Sequence, residues 1–441
     1  MRGFIVPTYP PGLPIVMSFF QRVRGRDAVF YVVPVLGALA IWATRRLGAK
    51  LFGEPAGASS ALLLASSPTL LLQLIQPVSD VPATAWWAVS LAAAVGDSAA
   101  AAFASGAAAS LAILTRPNLV PLAAVCIGFV SGRQDACRRL ALFACGVVPG
   151  CLAVAAIDAY LYGSPLRSGY AELHTLYAWA NAAPNLDRYP RWLVASETPF
   201  MCLALLAPWL IGRQRRRVGL LLVFAAVVFV SYLFYQPFGR DDLGYLRFLL
   251  PAYPALIVLS VGVTIELARR LRVGSPAVVA VGVCAIVAVL NVRTSAERRV
   301  LSLREVESRY VDVGRYVAQA MPREALFISG LHCGSIRYYS DRLTLRYDLL
   351  QPGWLDEAVR TLRSKGYHPY IALEEGEEPD FRGQFGGRSD LARLDWPPAA
   401  ERREPVRVRI YDPADRARFF GGEGVVTGDI ALRTKPTLTA K

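Results

Sequence analysis

The stretch "QPVSDVPATAWW" at 76–87 places one carboxylate, Asp80, between two long apolar runs, with Pro77 and Pro82 on either side. Four other stretches carry comparable chemistry. "PTYPPGLP" at 7–14 is a stiff, proline-rich segment that contains Tyr9. "LTRPN" at 114–118 sets Arg116 at the end of an apolar run. The segment 163–190 is rich in aromatics (Tyr170, Tyr177, Trp179, Tyr189) and holds Glu172 and His174. "FGRDDLGYLRFLLPAYP" at 238–254 supplies Arg240, Asp241, Asp242, Tyr245 and Arg247. A carboxylate can deprotonate a hydroxyl or hold a divalent cation, for which Asp80 and His174 are the candidate ligands. Guanidinium groups hold phosphate through paired hydrogen bonds. Carboxylates, guanidinium groups and aromatic surfaces together suit a substrate that bears both a phosphate and a sugar and enters from lipid.

Each feature also has a plainer reading. Asp80 can cap the helix that follows it, with Pro82 in the first turn. Arginine at the end of a span snorkels to headgroups. Interfacial aromatics form a belt. Asp241 and Asp242 can merely balance Arg240 and Arg247, and His174 can be an ordinary surface histidine. The chemical reading rests on the features sharing one side of the membrane.

The elements that would place them there follow from composition. The chain has 441 residues, of which 54% are hydrophobic and only 19% charged, whereas soluble domains carry about 25% charged residues. Runs of about 20 apolar residues can span a bilayer. Ten spans can be drawn, at 27–46, 55–75, 80–96, 98–115, 117–132, 138–162, 191–212, 218–236, 247–268 and 276–292. Residues 1–292 hold 12 of the 34 acidic residues and carry a net charge of +11; residues 293–441 carry +3. The positive balance therefore follows the membrane part and points away from nucleic acid. Arg45, Arg46 and Lys50, then Arg133, Arg138 and Arg139, then Arg213 with 215–217, then Arg269, Arg270 and Arg272 follow odd-numbered spans. Positive loops stay cytoplasmic, so one orientation satisfies all four clusters and places the five chemical stretches outside. The seven cysteines contain no CxxC pair, which indicates neither a structural metal site nor a disulfide framework. Residues 293–441 read as a small α/β domain: an amphipathic helix over 299–321, strands at 325–329, 369–375 and 405–412, and a helix over 353–366.

"YPPGLP", "SDVPATAWW", "LAILTRPNLVPLA" and "YLRFLLPAYP", in this order and at these spacings, resemble the bacterial GT-C glycosyltransferases. That superfamily includes the aminoarabinose transferases of lipid A and the protein O-mannosyltransferases. The resemblance covers about residues 7–292. It implies a polytopic helical bundle, here of about ten spans, closed by a periplasmic α/β domain at 293–441. It implies a multi-pass enzyme of the bacterial inner membrane that passes a sugar from a polyprenyl-phosphate carrier to a glycan, lipid or protein acceptor at the periplasmic face, with a divalent metal as a candidate cofactor. Asp80 matches an acidic position at the outer start of a span, "YPPG" matches the first outer loop, and Arg247 in "YLRF" matches a basic position near the donor phosphate. Members of the family carry an earlier acidic motif behind an additional first span, and nothing before "YPPG" here is acidic. The basic N-terminal segment, assigned outside with no span before it, raises the same expectation: that the reading frame continues upstream of Met1 with a span and an acidic residue.

Two other classes remain open on the sequence. A lipid-linked glycan transporter would show repeat symmetry and charges at mid-membrane, where Asp158 and Glu266 are the main acids. A non-catalytic membrane protein of the same fold would need no base.

Overall fold

The computed structural model describes residues 8–132, 135–170, 176–235 and 243–430. They form two compact units, Met1–Leu301 and Ser302–Lys441. The boundary lies beyond 292 because the Pro276–Glu297 helix continues past Arg293, whose Nε bonds Glu297 one turn on at 2.8 Å.

The first unit is helical. Among the described residues, five helices are long and apolar enough to cross a membrane: Arg26–Phe52, Ala136–Tyr162, Gly212–Leu233, Gly244–Leu271 and Pro276–Glu297. Two bent pairs raise the number to seven: Glu54–Ala65 with Pro68–Leu74, at 60°, and Trp179–Glu197 with Pro199–Leu210, at 115°. The expected ten spans are therefore not reached by length and composition. Asp80–Ala94 has 15 residues, Ala99–Thr115 has 17 and Leu122–Val130 has 9. At 1.5 Å per residue these fall short of a hydrocarbon core of about 30 Å. Twelve of the residues of Asp80–Ala94 are buried; a helix that is apolar all round can be buried core as well as lipid-facing span.

Small residues set the closest approach. A Cβ on Gly106 would sit 2.1 Å from the Phe143 carbonyl oxygen, and one on Gly150 would sit 2.2 Å from Ser110 Oγ. The Ala99–Thr115 and Ala136–Tyr162 helices thus touch backbone to backbone. The two helix breaks meet at Glu197. Its Oε1 accepts from the Ser67 hydroxyl (2.8 Å) and the Thr69 N–H (3.1 Å), and Tyr253 donates to Thr69 Oγ1 (3.3 Å).

The basic clusters are knitted together at one end of the bundle. Lys50 donates to Ala92 O, Arg139 to Gly96 O, Gln214 to Leu51 O and Arg216 to Gly128 O. Arg270 donates to Leu210 O at the same ends of its helix and its neighbour. Arg139 is buried, and its three nitrogens reach the carbonyls of 96–98 and Val130, closing the turn between the Asp80–Ala94 and Ala99–Thr115 helices.

The second unit is a six-stranded mixed sheet in the order β2-β1-β3-β5-β4-β6: β1 Ala325–Ser329, β2 Leu343–Arg346, β3 His368–Glu374, β4 Ala400–Arg402, β5 Val408–Tyr411 and β6 Gly428–Asp429. β1 runs parallel to β2 and β3, while β5 is antiparallel to β3 and β4. β1 is buried throughout, as its unbroken apolar run requires. Leu326, Ile328 and Ile371 pack on one face with Leu355, Phe381 and Phe385; Phe327, Tyr370 and Ala372 pack on the other with Val313, Val317 and Ile336. The helix expected over 299–321 is Leu303–Ala320, and that over 353–366 is Leu355–Ser364. The short strands β2, β4 and β6 had no distinct sequence signal.

Candidate active site

Asp80 and Arg116 end two neighbouring helices at the end of the bundle away from Arg139. Arg116 follows the Ala99–Thr115 helix as its cap, with its own N–H bonded to Ala112 O at 2.8 Å. Pro117 then forbids helical continuation. Asp80 begins its helix, and Ser79 occupies the cap position without a side-chain capping bond. The Asp80 carboxylate turns instead to Arg116. Its Oδ1 lies 2.7 Å from Arg116 Nη2, with side chains 2% and 12% exposed. The contact is an ion pair whose angle falls outside hydrogen-bond geometry. Arg116 Nε donates to Ser79 Oγ at 3.2 Å and Nη1 donates to the Tyr232 hydroxyl, which also receives Asn118 Nδ2 at 3.0 Å. All three guanidinium nitrogens are thus engaged, which explains how so buried a charge is tolerated.

An aromatic wall completes the cluster. Tyr232 and Phe248 stack at 5.0 Å and 12°, Tyr245 stacks on Phe248 at 6.1 Å, and Tyr235 meets Phe248 edge-on at 5.3 Å. The Arg116 guanidinium lies 5.3 Å from the Phe248 ring centre and that of Arg247 lies 5.2 Å from the same ring. Arg247 is also 5.9 Å from the Tyr245 ring, and its buried Nε has no hydrogen-bond partner among the described residues. Asn185 Nδ2 donates to Leu233 O (2.9 Å) and Tyr235 O (2.8 Å), fixing the frayed end of the Arg215–Leu233 helix that carries the tyrosines. Two guanidinium groups thus converge on one aromatic ring, and one of them keeps an N–H without a hydrogen-bond partner among the described residues.

The structure thus brings Asp80, Arg116, Tyr245 and Arg247 together. Tyr9 stands farther out, edge-on to Tyr170 at 6.0 Å and within electrostatic range of Tyr235. Glu172, His174, Arg240, Asp241 and Asp242 lie outside the described residues. The described ends of their segments are tied to each other, since Tyr177 bridges Tyr235 and Ala178 N–H donates to Phe234 O at 2.9 Å. Asp80 does not cap its helix, because the Arg116 charge attracts its carboxylate more strongly than the backbone N–H groups do. Ser79, Asn118, Tyr232 and Phe248 were not singled out from sequence. Tyr232 and Tyr235, three residues apart at the end of an apolar run, were the available signal.

As for a metal ion, no three His, Cys, Asp or Glu side chains come together among the described residues. Asp80 is committed to Arg116. The described residues therefore do not form a cation cage.

No family model and no curated protein sequence matches the chain. Solved structures do. ArnT from Cupriavidus metallidurans bound to undecaprenyl phosphate superposes with a TM-score of 0.56 at 15% identity, covering 86% of this chain and 85% of that one. Its apo state gives 0.55 at 16% identity. The Archaeoglobus fulgidus oligosaccharyltransferase in its apo form gives 0.54 at 13% identity, covering 88% of this chain and 64% of that one. The chain has the GT-C fold. Within that GT-C fold, the arginine–aromatic cluster joins the start of the Asp80–Ala94 helix, the end of Ala99–Thr115 and the Leu243–Ala252 segment.

Proposed function

We propose that this protein transfers a sugar from a polyprenyl-phosphate carrier to an acceptor hydroxyl of a glycan, lipid or protein. The observation that carries the reading is the pair of guanidinium groups on Phe248, in a fold shared with an ArnT crystallised with undecaprenyl phosphate. The acceptor oxygen attacks the anomeric carbon, the bond from that carbon to the phosphate oxygen breaks, and the carrier leaves as a lipid phosphate in one inverting step. Arg116 and Arg247 receive the developing phosphate charge, the strongest catalytic device at this site. Asp80 holds Arg116 in place; a carboxylate already paired with a guanidinium is a poor base. The acceptor proton goes to an ionised carboxylate of the flanking segments, Glu172, Asp241 or Asp242, which acts as the general base.

The knitted basic end is cytoplasmic by the charge rule. The arginine–aromatic end and residues 302–441 then face the periplasm of a bacterial inner membrane. The test is undecaprenyl phosphate binding to the purified chain, together with transfer from a radiolabelled undecaprenyl-phosphate sugar. Arg116→Lys and Arg247→Ala should each weaken binding at least tenfold. Unchanged binding in both variants would overturn the assignment.

A further inference from the structure

A cavity of about 210 Å³ opens at the basic end of the bundle, away from the arginine–aromatic cluster. Three helices wall it. Ala94 and Val95 come from the end of Asp80–Ala94, and Gly128, Phe129 and Gly132 from the end of Leu122–Val130. Arg216, Arg217 and Leu220 come from the first turns of Arg215–Leu233. The two arginines supply all the charge of this lining.

These arginines lack a counter-ion. Arg216 is anchored by Nη2, which donates to Gly128 O at 2.9 Å and to Ser131 Oγ at 3.4 Å. Its Nε and Nη1 have no partner among the described residues, and Arg217 has none at all among them. The other basic clusters are spent within the protein. Arg45 pairs with Glu54 at 2.7 Å and Arg270 with Glu266 at 3.2 Å, while Lys50 and Arg139 hold the carbonyls of Ala92 and Gly96. Asp97, the acid of the neighbouring turn, is exposed and does not line the cavity.

The rest of the lining and the surface beside it are apolar. Arg216, Leu220, Val223 and Val230 recur at helical spacing along one face of their helix. Val223 and Val230 are exposed, and so is Ile127 on the adjoining helix. The ligand must therefore be an amphiphile. A free anion leaves the apolar stripe unused, and a neutral lipid leaves two guanidinium groups unpaired. A zwitterionic head brings an ammonium group that finds no carboxylate. A net-negative phospholipid satisfies both ends, since guanidinium N–H groups suit phosphate oxygens and basic pockets between spanning helices take such headgroups. We infer that this cavity holds the phosphate of an anionic phospholipid, bound by Arg216 and Arg217, with its acyl chains along Leu220, Val223 and Ile127. The inference is independent of the transferase reading and concerns a different end of the bundle.

Native mass spectrometry tests it on the full chain released from nanodiscs of equal phosphatidylglycerol and phosphatidylcholine. Phosphatidylglycerol should be retained in preference to phosphatidylcholine. Arg217→Gln should lower that retention about fivefold, and the double variant with Arg216→Gln at least roughly tenfold. Because Arg217 touches no polar partner among the described residues, Arg217→Gln should unfold thermally like the parent. Arg213→Gln removes the same charge from the same segment but outside the lining, and should change retention less than about twofold. Undecaprenyl phosphate binding should be unchanged in all three variants. Equal retention of the two phospholipids overturns the inference. So does a loss in Arg213→Gln as large as in Arg217→Gln, which would mean unspecific attraction to the basic surface. Displacement of phosphatidylglycerol by equimolar inorganic phosphate would make this a free-anion site, and loss of undecaprenyl phosphate binding in the Arg217→Gln variant would make it a site for the carrier; either result overturns the inference.

Discussion

Asp80→Asn removes one charge and almost no volume from the most buried ion pair among the described residues of the helical unit. Asp80 is 2% exposed and Arg116 12%, at 2.7 Å. Breaking a buried pair from one side costs about 3–5 kcal/mol, because the remaining charge is left uncompensated. Arg116 would keep Ser79, Tyr232 and the two rings, so the lower end, about 3 kcal/mol, is expected here. That is roughly a hundredfold in the folded-to-unfolded ratio. The capping reading expects no loss, since asparagine caps as well as aspartate. Equilibrium unfolding in mixed micelles distinguishes the two, and a double-mutant cycle isolates the pair. Asp80→Asn with Arg116→Gln should recover most of the loss, a coupling of about 2–3 kcal/mol. Undecaprenyl phosphate should also restore the single variant more than it stabilises the parent, because its phosphate replaces the missing charge. A change under about 0.5 kcal/mol in Asp80→Asn, with zero coupling, would refute the ion-pair account.

Gly106→Ala should separate the Ala99–Thr115 and Ala136–Tyr162 helices, costing about 1–3 kcal/mol or more, with lower yield of folded protein as the readout. Glu197→Ala strands the Ser67 hydroxyl and the Thr69 N–H, at about 1–3 kcal/mol each in the same unfolding assay; no loss would show that the helix breaks stand without it. In the second unit, burial alone would raise the Glu374 carboxyl, but hydrogen bonds and charge from His332 and Arg309 bring it below the usual carboxylate range. Its stabilisation is therefore full above the unfolded-state pKa and lost as pH falls through the lower folded value. Urea unfolding of residues 302–441, followed by Trp354 and Trp396 fluorescence, should lose stability below about pH 4.5, and Glu374→Gln should flatten that limb. For sidedness, Cys333 is a slow probe, because burial pushes its thiol up to about 11 and it donates to Ser329 O. A cysteine at exposed Ser364 should instead label in intact spheroplasts with an impermeant maleimide; labelling only after lysis would reverse the topology.

Sequence was sufficient where a local pattern has one physical outcome. The unbroken apolar "ALFIS" of β1 and the alternation of "VRIY" in β5 read as strands because burial of both sheet faces or mainly of one demands those patterns. Pro77 and Pro82 do bracket the start of a helix, and the four ordered motifs pointed to the fold that the superposition shows. Asp80, Arg116, Tyr245 and Arg247 were readable as candidates because charges at the ends of apolar runs stand out. Span number was not readable: hydropathy records the cost of meeting water and does not distinguish lipid from neighbouring helices as the alternative. Only packing shows how completely Asp80–Ala94 is buried among its neighbours. Partner choice was equally hidden. Asp80 and Tyr232 lie far apart in sequence, yet both meet Arg116 because close-packed glycines and a carbonyl-capping arginine set the helix positions. The distance between two charges is a property of the assembled bundle, and that distance turned a helix cap into half of an ion pair.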